Sequence, residues 1–278
     1  MKAITKYKIL NKYTILSLIS MLFVLWISWA FVSNFIEILT MDYFAPDLAV
    51  KTQQEANQVR YEYIISILSW ETYIDSAMSY VVYIFPLFAL ITVLPFYNEL
   101  KSYYVFGANR FRSYKKEVLR GVFSHALIGG LLIVLVFAVF FSVGSIFMLP
   151  AITDIGGYAS ILPDGFYSKH PYLFFMFMTV TIYFTIGFVF ALLGCGIALV
   201  SNKPHNIIII PMIAYIADAY ILGGFFGFPN YQIFHSVGAF NVTTTTFQTF
   251  IPILPFLIAA IIVLIIGVKR NKSIIGDI

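Results

Sequence analysis

Six long apolar stretches run through this sequence, and each is long enough to cross a lipid bilayer as a helix. A membrane-spanning helix needs about 20 mostly apolar residues, because the hydrocarbon layer is about 30 Å thick and each helical residue rises about 1.5 Å. The predicted spans cover approximately residues 13–36, 77–97, 121–149, 171–200, 206–228 and 250–268. The sequence therefore predicts an all-α integral membrane protein with a single transmembrane domain over residues 1–278.

The composition agrees with a bilayer as the solvent. Hydrophobic residues make up 60 % of the chain, whereas about 45–50 % is usual in a soluble domain. Only 11 % of the residues are charged, which is too few to cover a surface in water. The net charge of +4 does not indicate a nucleic-acid partner, because the basic residues lie in short segments between the apolar stretches.

The basic residues predict how the spans are oriented. With the N-terminus in the cytoplasm, 14 of the 17 Lys and Arg residues fall on the cytoplasmic side, and Lys51, Arg60 and Lys169 remain outside. Positively charged connections stay in the cytoplasm, so both termini are predicted to be cytoplasmic and the protein to lie in the cell (plasma) membrane.

Three segments outside the spans have recognisable patterns. Residues 1–12 alternate apolar and basic faces, which predicts a short helix in the cytoplasmic interface. In the long external loop, residues 37–76, the spacing of Tyr61, Ile64, Ile65 and Leu68 predicts an amphipathic helix and a packed external cap. Residues 229–249 combine polar and aromatic side chains, so we expect them to dip into the membrane surface.

The cytoplasmic connection at residues 98–120 is the most informative stretch. Asn98 is interpreted as the N-cap of a short helix, Glu99 as an acid in its first turn, and Gly107 as its C-terminal stop. This helix is predicted to expose Tyr103, Tyr104 and Phe106, which calls for a partner or lipid to cover them. The basic run that follows is typical of anchoring to anionic lipid.

The sequence shows no motif for catalysis or for nucleotide binding. The patterns GxxxxGK[ST], GxGxxG, HExxH and GxSxG do not occur. Cys195 is the single cysteine and has no metal-ligand spacing around it. The histidines are interpreted as ordinary interfacial residues, and they are His125, His170, His205 and His235. We therefore expect no metal, no cofactor and no enzymatic site in this chain.

In this arrangement the chain resembles the membrane subunits of ABC transporters of the type 2 permease family, the exporter class. The shared points are an amphipathic N-terminal segment, six spans, a Glu-led short helix with a basic run between the second and third spans, and an interfacial segment before the last span. The resemblance implies that the short helix docks on a separate ABC ATPase, which would carry ATP and Mg, and that a second permease copy completes the transporter. It would place at the ATPase contact Glu99, Lys101, Tyr103, Tyr104, Phe106, Arg110 and Arg112.

Asp218 lies about twelve residues into the fifth predicted span, near the middle of the bilayer. An acid at that depth costs about 2.5–3.5 kcal/mol, so it should face protein or water. Two interpretations remain open: Asp218 lines a translocation path, or its carboxyl group is hydrogen-bonded to a neighbouring segment for structural reasons.

These features leave several functions in competition. The first is a membrane subunit of an ABC exporter for an amphipathic peptide or lipid-like substrate. The second is an ion- or proton-coupled carrier, which would require several ionisable groups within the spans. The third is a polytopic membrane protein that does not transport, such as an intramembrane enzyme.

Overall fold

The computed structural model describes residues 11–45, 48, 50–107, 111, 113–149, 162–163, 165–238 and 246–276. Helices make up 84 % of the structure, and the described residues contain no β-strand, so the predicted all-α class is confirmed. The predicted interfacial helix at the N-terminus falls mostly on residues 1–10, which lie outside the described residues.

Six helical stretches are long and apolar enough to span a membrane, which confirms a multi-pass membrane protein. They are Lys12–Val32, Trp70–Phe106, Tyr114–Gly144, Pro171–Val200, Asn206–Phe225 and Gln248–Arg270. The α-helices in chain order are α1 (Lys12–Val32), α2 (Phe35–Thr40), α3 (Gln53–Ile67), α4 (Trp70–Ile91), α5 (Leu94–Lys101), α6 (Tyr103–Gly107), α7 (Tyr114–Gly144), α8 (Phe166–Lys169), α9 (Pro171–Met178), α10 (Phe184–Val200), α11 (Asn206–Asp218), α12 (Ile233–Val237), α13 (Thr246–Phe250) and α14 (Leu254–Gly276). Two π-helical segments, Thr179–Tyr183 and Ala219–Phe225, continue the fourth and fifth spans.

Local chemistry explains where two spans differ from their predicted limits. Helix α1 ends at Val32 rather than at residue 36, because Asn34 has a φ of 59° and a right-handed helix cannot pass through that conformation. Helix α4 begins at Trp70 rather than at residue 77, because Ser69 caps it. The Oγ atom of Ser69 accepts a hydrogen bond from the N–H of Thr72 at 3.1 Å.

The fourth span lies at the centre of the bundle and is the most buried of the six. Glycines let its neighbours approach closely, as is common where membrane helices pack. A Cβ atom on Gly187 would lie 3.2 Å from the Cα of Gly130 on α7, and one on Gly196 would lie 3.2 Å from the backbone nitrogen of Leu264 on α14. Helix α10 is therefore held by backbone contacts on two sides.

Polar side chains fix α1 against α4 across the bundle. Ser17 Oγ donates a hydrogen bond to the carbonyl of Phe88, and Ser28 Oγ donates one to the carbonyl of Ser76, both at 2.6 Å. The two bonds are separated by three helical turns, so they set both the register and the tilt of α1.

The 37–76 loop contains a helix, α3, where an amphipathic helix is predicted, but only Ala56 and Ile67 of it are buried. It begins with a reciprocal capping box, in which Thr52 Oγ1 accepts from the N–H of Glu55 at 3.2 Å and Glu55 Oε2 accepts from the N–H of Thr52 at 3.1 Å. Its packed face differs from the predicted one, because Tyr61 is exposed while Ile67 is buried. The inward face of α3 is thus shifted around the helix from the expected stripe.

Candidate functional site

The 98–120 segment does not begin with a helix capped by Asn98, so that prediction is wrong. Helix α5 starts earlier, at Leu94, and α6 follows after a break at Ser102, whose φ and ψ are −119° and −83°. Glu99 accordingly lies in the last turn of α5 rather than in a first turn, and the argument from the helix dipole does not apply to it. The segment is a pair of short helices extending the second span.

The three aromatic rings of α6 do not share one environment. Tyr103 is 54 % exposed and Phe106 is 82 % exposed, as the sequence predicts. Tyr104 is only 2 % exposed, so its predicted exposure is wrong. Its ring enters a slot on α7, where a Cβ atom on Gly121 would lie 2.1 Å from the Tyr104 hydroxyl oxygen. The glycine makes room for the ring, and α6 is thereby seated on α7.

Glu99 faces the interior of the protein and contacts His125 on α7. Glu99 Oε1 lies 3.7 Å from His125 Nε2, and the two side chains are 22 % and 1 % exposed. The other ring nitrogen of His125, Nδ1, is 3.0 Å from the carbonyl oxygen of Gly121, and Phe96 packs against the ring. Glu99 was expected at an ATPase contact; in the structure it joins α5 to α7.

His125 is the residue at this site that the sequence interpretation missed. The sequence indicates an ordinary interfacial histidine, but His125 is among the most buried polar residues described. Its sequence signal is weak: it lies one helical turn after Gly121, on the same face of α7 as that glycine. A glycine and a histidine one turn apart near the start of a span are compatible with many packing arrangements.

Lys101 connects the same end of the bundle to the turn after α10. Its Nζ lies 4.5 Å from the centre of the Tyr97 ring and 3.3 Å from the carbonyl oxygen of Asn202. The hydroxyl of Tyr97 also donates to the Asn202 carbonyl. Arg270 of α14 donates to the carbonyl of Val200 at 3.0 Å. Cations thus satisfy carbonyl groups at the C-terminal end of α10, where the helix dipole favours positive charge.

Two residues predicted at the ATPase contact, Arg110 and Arg112, lie outside the described residues. The coupling role of all seven predicted residues remains a prediction. Within the described part of the segment, Tyr103 and Phe106 point outward, Lys101 is exposed, and Tyr104 and Glu99 point into the bundle.

Asp218 contacts the protein, as its depth in the span requires. One carboxylate oxygen, Oδ2, accepts a hydrogen bond from the backbone N–H of Ile233 at 2.7 Å, and the side chain is partly buried. Ile233 is the first residue of α12, so Asp218 caps that short helix from a distance of fifteen residues along the chain. This contact supports the structural interpretation of Asp218, and a place in a translocation path remains a prediction.

Residues 229–237 fold back along the fifth span. Asp218 lies twelve residues, or about 18 Å, along the helix that begins at Asn206, and the span continues to Phe225. Its partner Ile233 therefore lies beside the interior of the fifth span rather than at its end. Phe234 packs on Tyr215 with ring centres 4.9 Å apart, and a Cβ atom on Gly223 would lie 2.3 Å from Oε1 of Gln232.

The end of this segment is also held by protein. Ser236 Oγ donates to the carbonyl of Thr249 at 2.6 Å, which joins α12 to α13. Non-helical backbone at membrane depth requires protein or water around it, and Asp218 and Thr249 provide such partners. Over the described positions this segment packs against the bundle, and its predicted dip into the membrane surface stays a prediction; residues 239–245 lie outside the described residues.

The described residues contain no group of three or more His, Cys, Asp or Glu side chains that could jointly hold a metal ion. Cys195 is buried between helices, with Sγ 3.9 Å from the carbonyl oxygen of Val122. Comparison with family models, with curated proteins and with solved structures finds no match to this chain.

Proposed function

We propose that this chain is the membrane subunit of an ABC exporter, which moves a substrate across the cell membrane using ATP hydrolysed by a separate subunit. The observation that carries the proposal is the outward pair Tyr103 and Phe106 on α6. Burying one such ring against a partner stabilises a complex by about 1.5–3 kcal/mol, and a few aromatic residues commonly dominate an interface. Two rings on one turn are enough to anchor a protein contact.

The way α6 is mounted supports a role in coupling. Tyr104 sits in the Gly121 slot, and Glu99 contacts His125, so α5 and α6 are attached to α7 at two points. A displacement imposed on the outward rings would therefore be passed to the third span. If α6 were not attached to α7, the same displacement would move only α6 and the segment that links it to α7.

The proposed partners follow from what this chain lacks in sequence. It contains no phosphate-loop motif, so in the proposal ATP and Mg are bound by the ATPase subunit. A second permease copy supplies the other six spans. The spans with the smallest buried shares, Asn206–Phe225 and Lys12–Val32, present broad apolar faces that can be covered by lipid and by that second copy.

The proposed substrate is an amphipathic peptide or a lipid-like molecule, because the spans are aromatic and nearly free of charge. In the proposed orientation α6 and both termini are cytoplasmic, as the distribution of Lys and Arg indicates. The ion- or proton-coupled carrier is the alternative. It depends on Asp218, whose hydrogen bond to Ile233 supports a structural role instead.

The test is affinity purification of the full chain from its native membrane, followed by identification of co-purifying chains. We expect a chain with a phosphate loop, and we expect Tyr103→Ala combined with Phe106→Ala to weaken its binding by at least about tenfold. Phe225→Ala is the matched control, since Phe225 is as exposed as Phe106 but is the last residue of the fifth span, far from α6. Retention of full ATPase binding after loss of both α6 rings would contradict the proposal.

A further inference from the structure

A cavity of about 270 Å³ lies between α2 and the last turn of α3, at the end of the bundle opposite α6. It begins where α1 ends at Val32. The 21 residues of α1 already cover about 30 Å, the thickness of the hydrocarbon layer, so the cavity lies at the level of water rather than of lipid tails. Its volume is slightly below the range of about 300–1,000 Å³ typical of sites for drug-sized ligands.

The wall of the cavity combines one acid with an aromatic ring and an apolar floor. Glu37 is exposed at the wall, and within the described residues its carboxylate makes no ion pair or hydrogen bond. Tyr63 is a second, partly exposed wall residue, while Ile38 and Ile67 are buried beneath. A negative charge, an aromatic ring and a small apolar surface are the features that recognise organic cations.

Two further features of the cavity wall are energetically unfavourable. Asn34 in its wall has a φ of 59°, a left-handed conformation that a non-glycine residue adopts at a cost. Ser33, also in the wall, has a buried hydroxyl oxygen without a hydrogen-bond partner among the described residues. Leaving a buried hydroxyl in that state is unfavourable. Both unfavourable features occur at the same cavity.

The charge of the surrounding loop has the sign that a cation requires. Residues 37–69, which precede α4, contain five acidic and two basic residues, a net charge of −3. A surface with this excess of negative charge raises the local concentration of cations and speeds their association. The loop as a whole therefore acts in the same direction as Glu37.

We propose that the cavity between α2 and α3 binds a small organic cation, of the size of a simple primary or quaternary ammonium compound, with Glu37 as the counter-charge and Tyr63 as the aromatic contact. The site is separate from α6 and does not depend on an ATPase partner. It would let a solute on that side of the membrane bind to the helices that connect α1 to α4.

The test is a titration of the purified full chain in lipid nanodiscs with tetramethylammonium, followed by saturation-transfer NMR. We expect saturable binding that is weakened at least about tenfold by Glu37→Gln and several-fold by Tyr63→Leu. Glu62→Gln is the matched control: Glu62 is an exposed acid of the same α3 that does not line the cavity, and its removal should change the affinity little. The neutral isostere tert-butanol should not compete.

Three results would overturn the proposal. They are an absence of saturable tetramethylammonium binding to the unaltered chain, equal competition by tert-butanol, and equal weakening by Glu62→Gln and Glu37→Gln, which would show a general surface field only. Circular dichroism of each variant establishes that it is folded, and the exposed positions of Glu37 and Glu62 make loss of folding an unexpected outcome.

Discussion

Glu99 Oε1 lies 3.7 Å from His125 Nε2, although the two residues belong to different spans. Because the His125 side chain is only 1 % exposed and that of Glu99 22 % exposed, this contact makes the position of α5 depend on the position of α7. Contact pairs of this kind are coupled energetically, so their substitutions are not additive.

We expect Glu99→Ala and His125→Ala each to lower the free energy of unfolding by about 1–3 kcal/mol, because each leaves a buried polar group with one partner fewer. The double variant should lose about 0.5–3 kcal/mol less unfolding free energy than the sum of the losses in the two single variants. Thermal unfolding of the four proteins in detergent measures the cycle. Strict additivity would show that the two side chains do not interact.

Gly121→Ala should destabilise the protein by about 1–3 kcal/mol, because the new methyl group would collide with the Tyr104 hydroxyl. Tyr104→Phe should partly rescue Gly121→Ala, since it removes the atom that lies 2.1 Å from the added Cβ and leaves the ring carbon at 3.1 Å. On its own, Tyr104→Phe should have a small effect, because the hydroxyl makes only a long hydrogen bond of 3.4 Å to the Glu117 carbonyl. Chemical denaturation of the three variants is the measurement, and a lack of rescue would contradict the slot.

Asp218→Ala should release the N-terminus of α12 and cost about 0.5–2 kcal/mol, the usual effect of losing a helix cap. Asp218→Asn should cost less, because the amide oxygen can still accept from Ile233. Hydrogen exchange of the Ile233 amide reports the change directly and should quicken in Asp218→Ala. If exchange is unaltered while transport by a reconstituted complex is lost, Asp218 acts in the translocation path rather than as a cap.

The capping box of α3 should respond to acid. Backbone N–H groups of Lys51 and Thr52 bond the carboxylate of Glu55 and lower the pKa of Glu55 from its ordinary value. Since the folded pKa is the lower one, the contribution of the box is complete above the pKa of the unfolded chain. It is lost as pH falls through the pKa of the folded form.

An NMR titration of the Glu55 carboxyl carbon should therefore show a lower midpoint in the folded protein than in the denatured chain. Thr52→Ala removes the hydroxyl but keeps the N–H groups, so it should leave part of the shift in place. A midpoint equal to that of the denatured chain would mean that the box does not form in solution.

The six spans could be predicted from the sequence because a run of about 20 apolar residues has few alternatives to a membrane helix. The inward direction of Tyr104 could not be predicted, because it depends on Gly121, which follows Tyr104 by seventeen positions. The partner of Asp218 is a backbone N–H, which any residue at position 233 other than proline would provide. A contact to a backbone N–H therefore cannot be predicted from the residue type at position 233.

The start of α5 illustrates a different difficulty. Asn98 and Glu99 have the residue types of a helix beginning, and Asn is a strong cap. The chain was already helical before them, because Leu94 and Pro95 open α5 with proline in its favoured first turn. The local residue types predict that a helix begins at Asn98. In the structure the helix has already begun at Leu94, so no helix starts at Asn98.

The close approach of Gly187 to Gly130 limits the ways in which this bundle can change shape. Where two backbones touch, no side chain lies between them to change rotamer and take up a displacement. A shift of α7 at that level should therefore displace α10 by a similar amount, so we expect the two helices to move together. We therefore expect relative motion along the fourth span beyond the π-helical residues Thr179–Tyr183, where α9 is joined to α10 by a wider turn, rather than at this glycine contact.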